Sequence, residues 1–438
     1  MKNEIRHILA LALLLLAQCS MALAQTTGTI STYSRFGLGV LHDQSQGFNK
    51  SMGGVGLGIR VADRINTTNP ASYSGIDSLS LIFDVGMTAS FGRMSQGTTR
   101  VGVNNASLDY VHAGFRLARN LGFALGFMPY TDIGYTFYSP EKTIASDANT
   151  TQSITNSNAY SGTGGLNQVY VGVGWRAFRN FSFGANVGFL WGKYDHTLVP
   201  TFMENGLSIN YYSSTIKSYY ASLKTYKIDL GAQYSVRLSR QDWLSLGATA
   251  GLGHKIAQDA TLLLFTTMGD TTTYTASSPF DLPYSFGLGA SWQHKNSLLV
   301  AADVHHVLWG KCRMPVETVG EYAPMKGGYK NMTKFAVGAQ WTPNPFGKFW
   351  QRIQYRAGVS YTTPYLKIDG LNGPRELRLG AGVGIPILNR LNSRSVVNVG
   401  VQWLRRSASA ASMVKEDYFV INLGVTFNER WFMKYKIE

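Results

Sequence analysis

The chain has 438 residues, of which 47 are glycine, 13% are aromatic and only 15% are charged, and its net charge is +15. No run of eighteen apolar residues follows the first two dozen, which excludes a membrane protein built from long apolar helices. This composition suits either a soluble β protein or a transmembrane β-barrel, whose strands give only a weak hydropathy signal.

The first residues, MKNEIRHILALALLLLAQCSMALAQ, have the pattern of a secretory signal peptide. Basic residues come before an apolar run from Ile8 to Ala17, which is too short to be a permanent membrane span. Small residues at Ala22 and Ala24 place the cleavage after Ala24. Residues 1–24 are therefore the predicted leader, and the mature chain is exported.

The two cysteines limit which lipid anchor, disulfide or metal site the mature chain can have. Cys19 raises an alternative, a lipoprotein cut before that cysteine, although Gln18 is a poor fit to the small residue expected there. Cys312 alone remains after cleavage at Ala24, so an internal disulfide or a thiolate metal site cannot form.

For an exported chain, the net charge of +15 favours contact with the phosphates of outer-membrane lipid and lipopolysaccharide over contact with nucleic acid. A solvated basic rim is the alternative interpretation.

Alternation of apolar with polar or small residues predicts strands along the rest of the chain. Phe419, Ile421 and Leu423, for example, share one face, whereas Asn422 and Gly424 lie on the other. Fourteen strands are predicted in this way, near 79–92, 105–118, 121–137, 166–178, 181–196, 217–239, 243–266, 282–293, 297–309, 331–343, 351–364, 376–386, 394–406 and 415–428.

The connections between these strands alternate between short and long. Two to three residues join four of the pairs, at 119–120, 179–180, 240–242 and 294–296, and long connections separate them, at 139–165, 197–216, 267–281 and 310–330. This pattern is typical of an outer-membrane barrel with short periplasmic turns and long outer loops. A β-propeller would need a repeat of about 40–45 residues, which the sequence lacks. We therefore predict an all-β fold, a 14-stranded antiparallel transmembrane β-barrel.

Several features together carry a family resemblance. Export, fourteen strands, a long segment before the first strand and the turn Asn69-Pro70-Ala71 resemble the FadL-like outer-membrane transport proteins. The early YSRFGLG and the C-terminal GVTFNERWFMKYKIE look like a branch of this superfamily found in Bacteroidetes-type bacteria. The resemblance covers essentially the whole mature chain.

This resemblance implies a role for the residues that precede the first strand. Residues 25–78 would form an N-terminal plug, or hatch, in the barrel lumen, and Asn69, Pro70 and Ala71 would belong to it. Residues 79–428 would form the barrel, and residues 429–438 a periplasmic C-terminal tail. A disordered periplasmic leader is the alternative, but Met52, Val55, Leu57, Ile59 and Val61 form an alternating apolar set that favours the plug.

The resemblance also implies a route through the wall, because FadL-like transporters open sideways at a kink in the third strand. The third predicted strand reads LGFALGFMPYTDIGYTF. Pro129 lacks the N–H that a ladder needs, and so it marks a bulge, a kink or a strand end. Gly126, Pro129 and Tyr130 are therefore the candidate lateral opening. The alternative is that Pro129 already lies above the membrane, about nine residues from the turn at 119–120.

Catalysis is not expected from this sequence. His305 and His306 are neighbours on a strand and point to opposite faces, and the other histidines lack ligand spacing. No Ser, His and Asp residues can be joined into a triad, and the Gly-rich MGGVGLG lacks the helix and Lys of a phosphate loop. We expect no enzyme, no catalytic residue, no metal and no cofactor.

Two function classes remain open. The first is passive uptake of hydrophobic or amphipathic small molecules through a plugged barrel, as the resemblance implies. The second is a non-catalytic barrel subunit of a larger outer-membrane complex for secretion or barrel assembly, in which WFMKYKIE could dock another subunit or extend the last strand. The loop 139–165 is polar, whereas an entry site for hydrophobic ligands should be apolar, so the preference for transport is slight.

Overall fold

The computed structural model describes residues 29–146, 153–204, 207–208, 215–266, 269–318, 320–387, 395–408, 410 and 413–430. The predicted leader with Cys19 and the WFMKYKIE segment of the predicted tail lie outside the described residues.

Fourteen long strands form one closed antiparallel barrel, in which each strand pairs with the next and the last pairs with the first. The strands are β1 (Ser80–Gln96), β2 (Thr99–Ala118), β3 (Leu121–Tyr138), β4 (Ser153–Trp175), β5 (Phe181–Glu204), β6 (Thr215–Arg237), β7 (Asp242–Gly251), β8 (Ser285–His294), β9 (Leu298–Val307), β10 (Met332–Trp341), β11 (Gln354–Thr362), β12 (Arg375–Pro386), β13 (Val396–Ser407) and β14 (Lys415–Arg430). The predicted all-β fold and strand number are confirmed.

The two faces of the wall are inverted relative to a soluble protein. On β14, Phe419 is 50% exposed and Leu423 is 42% exposed, whereas Asn422 and Thr426 are nearly buried. Because successive side chains point to opposite faces of a strand, the apolar set covers the outer surface and the polar and small set faces inward.

The short turns lie at one end of the barrel. Arg119 and Asn120 join β2 to β3, as predicted, and the turns at 176–180, 238–241 and 295–297 join three further pairs. The longer turn from β10 to β11 carries a one-turn helix, Phe349–Arg352.

The predicted strand at 243–266 was wrong in its second half. β7 ends at Gly251, and Ala260–Thr266 forms a hairpin with Thr271–Ala276 that pairs back onto the start of β6. Apolar alternation continues through both pieces, so periodicity alone does not mark where the chain leaves the barrel ladder.

The predicted loop at 139–165 was also wrong in part. It contains the strand Lys142–Ser146 and the first half of β4, which pairs with β3 as far as Tyr138 opposite Ala159. These strand ends are polar on both faces, and therefore they carry no alternation to detect.

The remaining elements are short. The small strands are Val40–Leu41, Leu207–Ser208, His254–Lys255, Asp281–Leu282, Arg313–Thr318, Glu321–Lys326, Lys367–Ile368 and Leu371–Asn372, and the helical turns are Thr32–Arg35, Gly47–Lys50, Pro70–Gly75 and Trp309–Lys311. None of the helices among the described residues is long and apolar enough to cross a membrane.

Residues 29–78, here called the N-terminal segment, contact the inward faces of strands on several sides of the barrel. Met52, Val55, Leu57 and Ile59 are fully buried. Backbone groups of this segment bond to side chains of β9, β13 and β8, through Asp303 Oδ2 (2.6 and 2.9 Å), Gln402 Nε2 (2.5 Å) and Ser291 Oγ (2.8 Å). The segment is thus tied to widely separated parts of the wall.

Candidate functional site

The turn Asn69-Pro70-Ala71 begins the helical turn Pro70–Gly75 and is almost completely buried. Asn69 is the N-cap, and its Oδ1 accepts a hydrogen bond of 3.1 Å from the amide of Ala71. Its Nδ2 donates to the carbonyl of Leu57 at 2.9 Å and to that of Ala232 on β6 at 3.1 Å. One amide side chain therefore joins two parts of the N-terminal segment to the wall.

Glycines on three neighbouring strands make room for this turn. A Cβ atom at Gly184 would lie 2.3 Å from the Pro70 carbonyl carbon, and one at Gly231 would lie 2.2 Å from Asn69 Oδ1. Gly174 approaches the Pro70 carbonyl oxygen in the same way, at 2.6 Å. The wall is thus shaped to receive the turn, which the sequence motif alone did not reveal.

The wall is split between β2 and β3. The ladder between these strands ends at Val111 opposite Phe127, although β2 starts at Thr99 and β3 continues to Tyr138. Beyond that point, β2 is paired with β1 and β3 with β4, but within the described residues no pairing joins β2 to β3.

The predicted opening residues lie where this ladder stops. Gly126 is in the last paired stretch, opposite His112. Pro129 and Tyr130 follow it, and a register shift between Pro129 and Thr131 leaves Tyr130 as a bulge against β4. The predicted strand irregularity at Pro129 is therefore present.

The N-terminal segment covers the edge of β3 that β2 leaves open. Val40 and Leu41 pair antiparallel with Asp132 and Thr131. The amide of His42 donates to the Tyr130 carbonyl at 3.0 Å. Gln44 Nε2 donates to the Pro129 carbonyl at 2.8 Å, and the amide of Ile30 donates to Gly134 O at 2.8 Å. These bonds take the place of the missing β2 ladder.

A cavity of about 320 Å³ lies behind this edge. Residues 40–45 of the N-terminal segment line it on one side, and Met128 and Tyr130 of β3 belong to its wall. Its lining is mixed, since apolar and aromatic groups such as Trp309 and Tyr365 face charged groups such as Lys227 and Lys334. The cavity can therefore take a molecule with both apolar and polar parts.

An ion cluster around His42 ties the N-terminal segment to both sides of the split. His42 Nδ1 lies 2.8 Å from Asp132 Oδ2 on β3, and Nε2 lies 3.3 Å from Asp109 Oδ1 on β2. Lys50 Nζ lies 2.5 Å from the other oxygen of Asp109. Burial of His42 opposes its protonation, but Asp109 and Asp132 outweigh burial and raise the pKa of His42 to about 9.

A second charged network fixes the segment at Asp43, the residue after His42. Asp43 pairs with Arg378, whose Nη2 lies 2.9 Å from Glu376. Arg406 joins Glu376 at 2.9 Å to the fully buried Glu416 at 3.3 Å. Burial alone would raise the pKa of Asp43, but the Arg378 charge holds it well below its usual range.

Sequence reasoning missed both charged networks. Their members are separated by up to several hundred residues, and so no local motif joins them. The available signal was the presence of Asp109, Glu376 and Arg378 on the inward, polar faces of strands, where a charged residue needs a partner. Within the described residues, no group of three or more His, Cys, Asp or Glu side chains could hold a metal ion.

Comparison with known proteins gives one family and several related folds. The family model described as BamG matches residues 4–438. The toluene transporter TbuX of Ralstonia pickettii is 14% identical, with 90% of this chain and 98% of that chain covered and a TM-score of 0.59. A FadL homologue of Pseudomonas aeruginosa is 13% identical, with 90% and 99% covered and a TM-score of 0.59.

The toluene transporter TodX of Pseudomonas putida is 15% identical, with 90% of this chain and all of that chain covered and a TM-score of 0.55. No curated protein matches. At these identities the likeness shows a shared FadL-like fold and no more. The resemblance predicted from the sequence is confirmed at that level, and the Bacteroidetes-type branch stays a prediction.

We expect Gly184→Ala to loosen the Asn69-Pro70-Ala71 turn, because the added Cβ would overlap the backbone of Pro70 and Ala71. Overpacking of this kind costs about 1–3 kcal/mol, which corresponds to roughly 5- to 150-fold faster hydrogen exchange of the Ala71 amide. Gly102→Ala is the control, since a Cβ there meets nothing within 4 Å. Equal exchange in both variants would contradict the proposed fit.

The His42 cluster predicts a stability that depends on pH. Because the folded pKa of about 9 exceeds the ordinary value of 6.5, the stabilisation is complete below pH 6.5 and is lost as the pH rises through 9. The difference in Tm between the parent and His42→Gln should therefore be largest below pH 6.5 and shrink above pH 9. His306→Gln, outside this cluster, is the control, and a difference that grows above pH 9 would refute the assignment.

Proposed function

The chain belongs to the BamG family, and on that premise we propose that it is a plugged outer-membrane β-barrel that takes up hydrophobic or amphipathic small molecules through a lateral opening. The observation that carries the proposal is the end of the β2–β3 ladder at Val111 and Phe127, beside Pro129 and in front of a cavity. The FadL-like fold, which transporters such as TbuX and TodX share, also supports the proposal of small-molecule uptake.

Placement in the outer membrane is supported by the inverted faces of the wall. Apolar side chains of the barrel strands are exposed on its outer surface, as on Phe419 and Leu423. Trp175, Trp243 and Trp341 are 54%, 44% and 54% exposed at the end of the barrel that carries the short turns, where tryptophan suits a membrane–water interface. Lipid and lipopolysaccharide would then surround the barrel.

The N-terminal segment would act as the plug, with residues 25–78 as its predicted extent. Its contacts with β8, β9 and β13 support a seat across the barrel lumen. The Asn69-Pro70-Ala71 turn would serve as a fixed anchor, because glycines of three strands make room for it.

Residues 40–44 would be the movable part of this plug. Their backbone bonds to β3 are few, because only Val40 and Leu41 form a ladder with it. Release would also break the contacts of His42 with Asp109 and Asp132 and the ion pair of Asp43 with Arg378. Their release would join the cavity to the split between β2 and β3. A molecule in the cavity would then reach the lipid sideways, without a continuous aqueous channel.

The cavity lining indicates the class of molecule. Met128, Trp309 and Tyr365 offer apolar contacts, whereas Lys227 and Lys334 offer charge. An amphipathic small molecule fits this division better than a purely apolar one, because Lys334, and Lys227 with its partner Asp229, place charge at the cavity surface that an apolar molecule would desolvate. Passage would need no catalytic residue and no cofactor.

A disulfide between the segment and β3 tests this route. Val40 and Asp132 are opposite partners in the ladder, a position that suits a disulfide. We expect oxidised Val40→Cys/Asp132→Cys to lose uptake of a fluorescent fatty acid, an amphipathic probe, into lipid vesicles, and reduction to restore it.

The oxidised pair Ala248→Cys/Leu288→Cys, opposite partners on β7 and β8, is the matched control and should take up the probe normally. Cys312 is buried and can stay unchanged. Undiminished uptake by the oxidised Val40–Asp132 variant would rule out a lateral route at this edge.

A subunit role in a larger outer-membrane complex is the second candidate function. The family name hints at such an association, and the turn from β10 to β11 carries two strongly exposed aromatic residues. Phe346 is 84% exposed and Trp350 is 72% exposed. Exposed aromatic residues beyond a barrel wall are typical of surfaces that bind another protein.

Purification in mild detergent from native outer membranes, followed by mass spectrometry, distinguishes the two candidates. If the chain is a subunit, proteins that purify with it at a fixed ratio should be lost from Phe346→Ser/Trp350→Ser. They should be retained by Phe178→Ser, a 70% exposed residue on another short turn. A barrel that purifies alone under the same conditions would contradict the subunit role.

A further inference from the structure

Four arginines gather at the short-turn end of the barrel, where β1 begins and β2 ends. They are Arg60 of the N-terminal segment, Arg116 and Arg119 at the end of β2, and Arg176 after β4. We call them the arginine cluster. Neither the FadL-like fold nor the lateral route gives this cluster a role.

The hydrogen bonds of the arginine cluster go to neutral groups. Arg60 Nη1 donates to Ser182 Oγ at 2.5 Å, and Arg176 Nη2 donates to Asn120 Oδ1 at 3.1 Å. Arg116 donates to the carbonyl of Arg119, while its buried Nε has no hydrogen-bond partner within the described residues. Many of the guanidinium N–H groups therefore do not bond to a carboxylate.

The positive charge of the cluster exceeds the negative charge beside it. Burial, Arg176 and Arg116, in that order, lower the pKa of Arg60 to about 10, and no carboxylate contributes to that shift. Asp77 is the acidic residue next to the cluster along the chain, and it supplies one negative charge beside four positive ones. Unpaired guanidinium groups held together bind phosphate well, since each offers several donors in a planar fork.

A groove runs from the arginine cluster to the outer surface of the wall. The β1–β2 ladder begins only at Leu81 opposite Phe115, so the last residues of β2 have no β1 partner. Leu79 turns the chain away with a positive φ of 62°. The groove, of about 630 Å³, is bounded by Arg116, Arg119 and Arg176 and by the apolar residues Leu79, Phe115 and Leu117.

The apolar side of the groove faces outward. Leu79 is 45% exposed and Leu117 is 59% exposed. The β2–β3 register shifts between Arg116 and Ala118, so Leu117 is a bulged residue at the end of β2, and Phe115, Arg116 and Leu117 all line the groove. One groove therefore combines phosphate-binding donors with an apolar surface that continues into the outer wall.

We propose that this groove is a binding site for a phospholipid, whose phosphate contacts Arg116 and Arg176 and whose acyl chains lie against Leu79 and Leu117. A free phosphate would use the arginines but not the exposed leucines, and the apolar wall therefore favours a lipid. The inference rests on the outer-membrane placement proposed above. It does not depend on the lateral route.

Native mass spectrometry of the detergent-solubilised full chain, with added phosphatidylglycerol, tests this site. We expect the parent to retain one lipid molecule, and Arg116→Gln/Arg176→Gln to need at least a tenfold higher lipid concentration. This change corresponds to about 1.4 kcal/mol, the lower end of what one charge-assisted hydrogen bond contributes. Arg240→Gln, in the turn from β6 to β7, is the matched control and should bind as the parent does.

Three outcomes would overturn the proposal. These are equal lipid retention by the double variant, displacement of the lipid by millimolar inorganic phosphate, and loss of a co-purifying protein from the double variant with lipid retention unchanged. Heat-modifiable migration in gels checks that each variant is folded.

Probe uptake separates this proposal from the proposed function. A variant that takes up the probe normally but no longer binds lipid has lost only the function of the groove. A variant that binds lipid normally but no longer takes up the probe has lost only the lateral route. Failure of the parent to insert into vesicles would contradict the membrane placement on which both depend.

Discussion

Backbone hydrogen bonding along the edge of β3 is the constraint on which the rest of the site depends. A closed barrel pairs every strand with two neighbours, but β3 loses its β2 partner after Phe127. Unpaired amide and carbonyl groups are costly where water cannot reach them. The N-terminal segment supplies partners through Val40, Leu41 and His42, and so the segment and the split wall form one structural unit.

Charge holds this unit together at a considerable desolvation cost. Buried ions are stabilising only when their partners are well placed, and here His42, Lys50 and Asp109 satisfy one another across the split. The network from Asp43 to Glu416 does the same for the next residue of the segment. Two polar anchors, at His42 and Asp43, thus directly follow the short strand Val40–Leu41, which has few bonds of its own.

The FadL-like fold explains the architecture of this chain but does not establish its function. The fold accounts for fourteen strands, an inverted wall and an N-terminal segment seated against it, at identities near 14%. Such a fold can host unrelated roles, because function depends on the side chains of a site and not on the barrel itself. In this chain such side chains lie in the charged cavity and in the arginine cluster.

The sequence by itself determined the strand number, the short turn at Arg119-Asn120 and the irregularity at Pro129. These features depend on local chemistry, namely the two-residue period of a strand, turn residues and a missing N–H. It misjudged 139–165 and 243–266, where polar strands lack a period and where an apolar period crosses a bend.

Only the tertiary structure decided which residues meet. Whether β2 and β3 stay paired, whether Gly184 and Gly231 leave room for Asn69-Pro70-Ala71, and whether His42 reaches Asp109 all depend on strand register and closure of the barrel. These contacts join residues far apart in the chain, and a register shift of one residue would turn every inward side chain outward. A single sequence indicates which residues share a face of each strand. Which of these residues contact one another is determined only when the barrel is closed in one register.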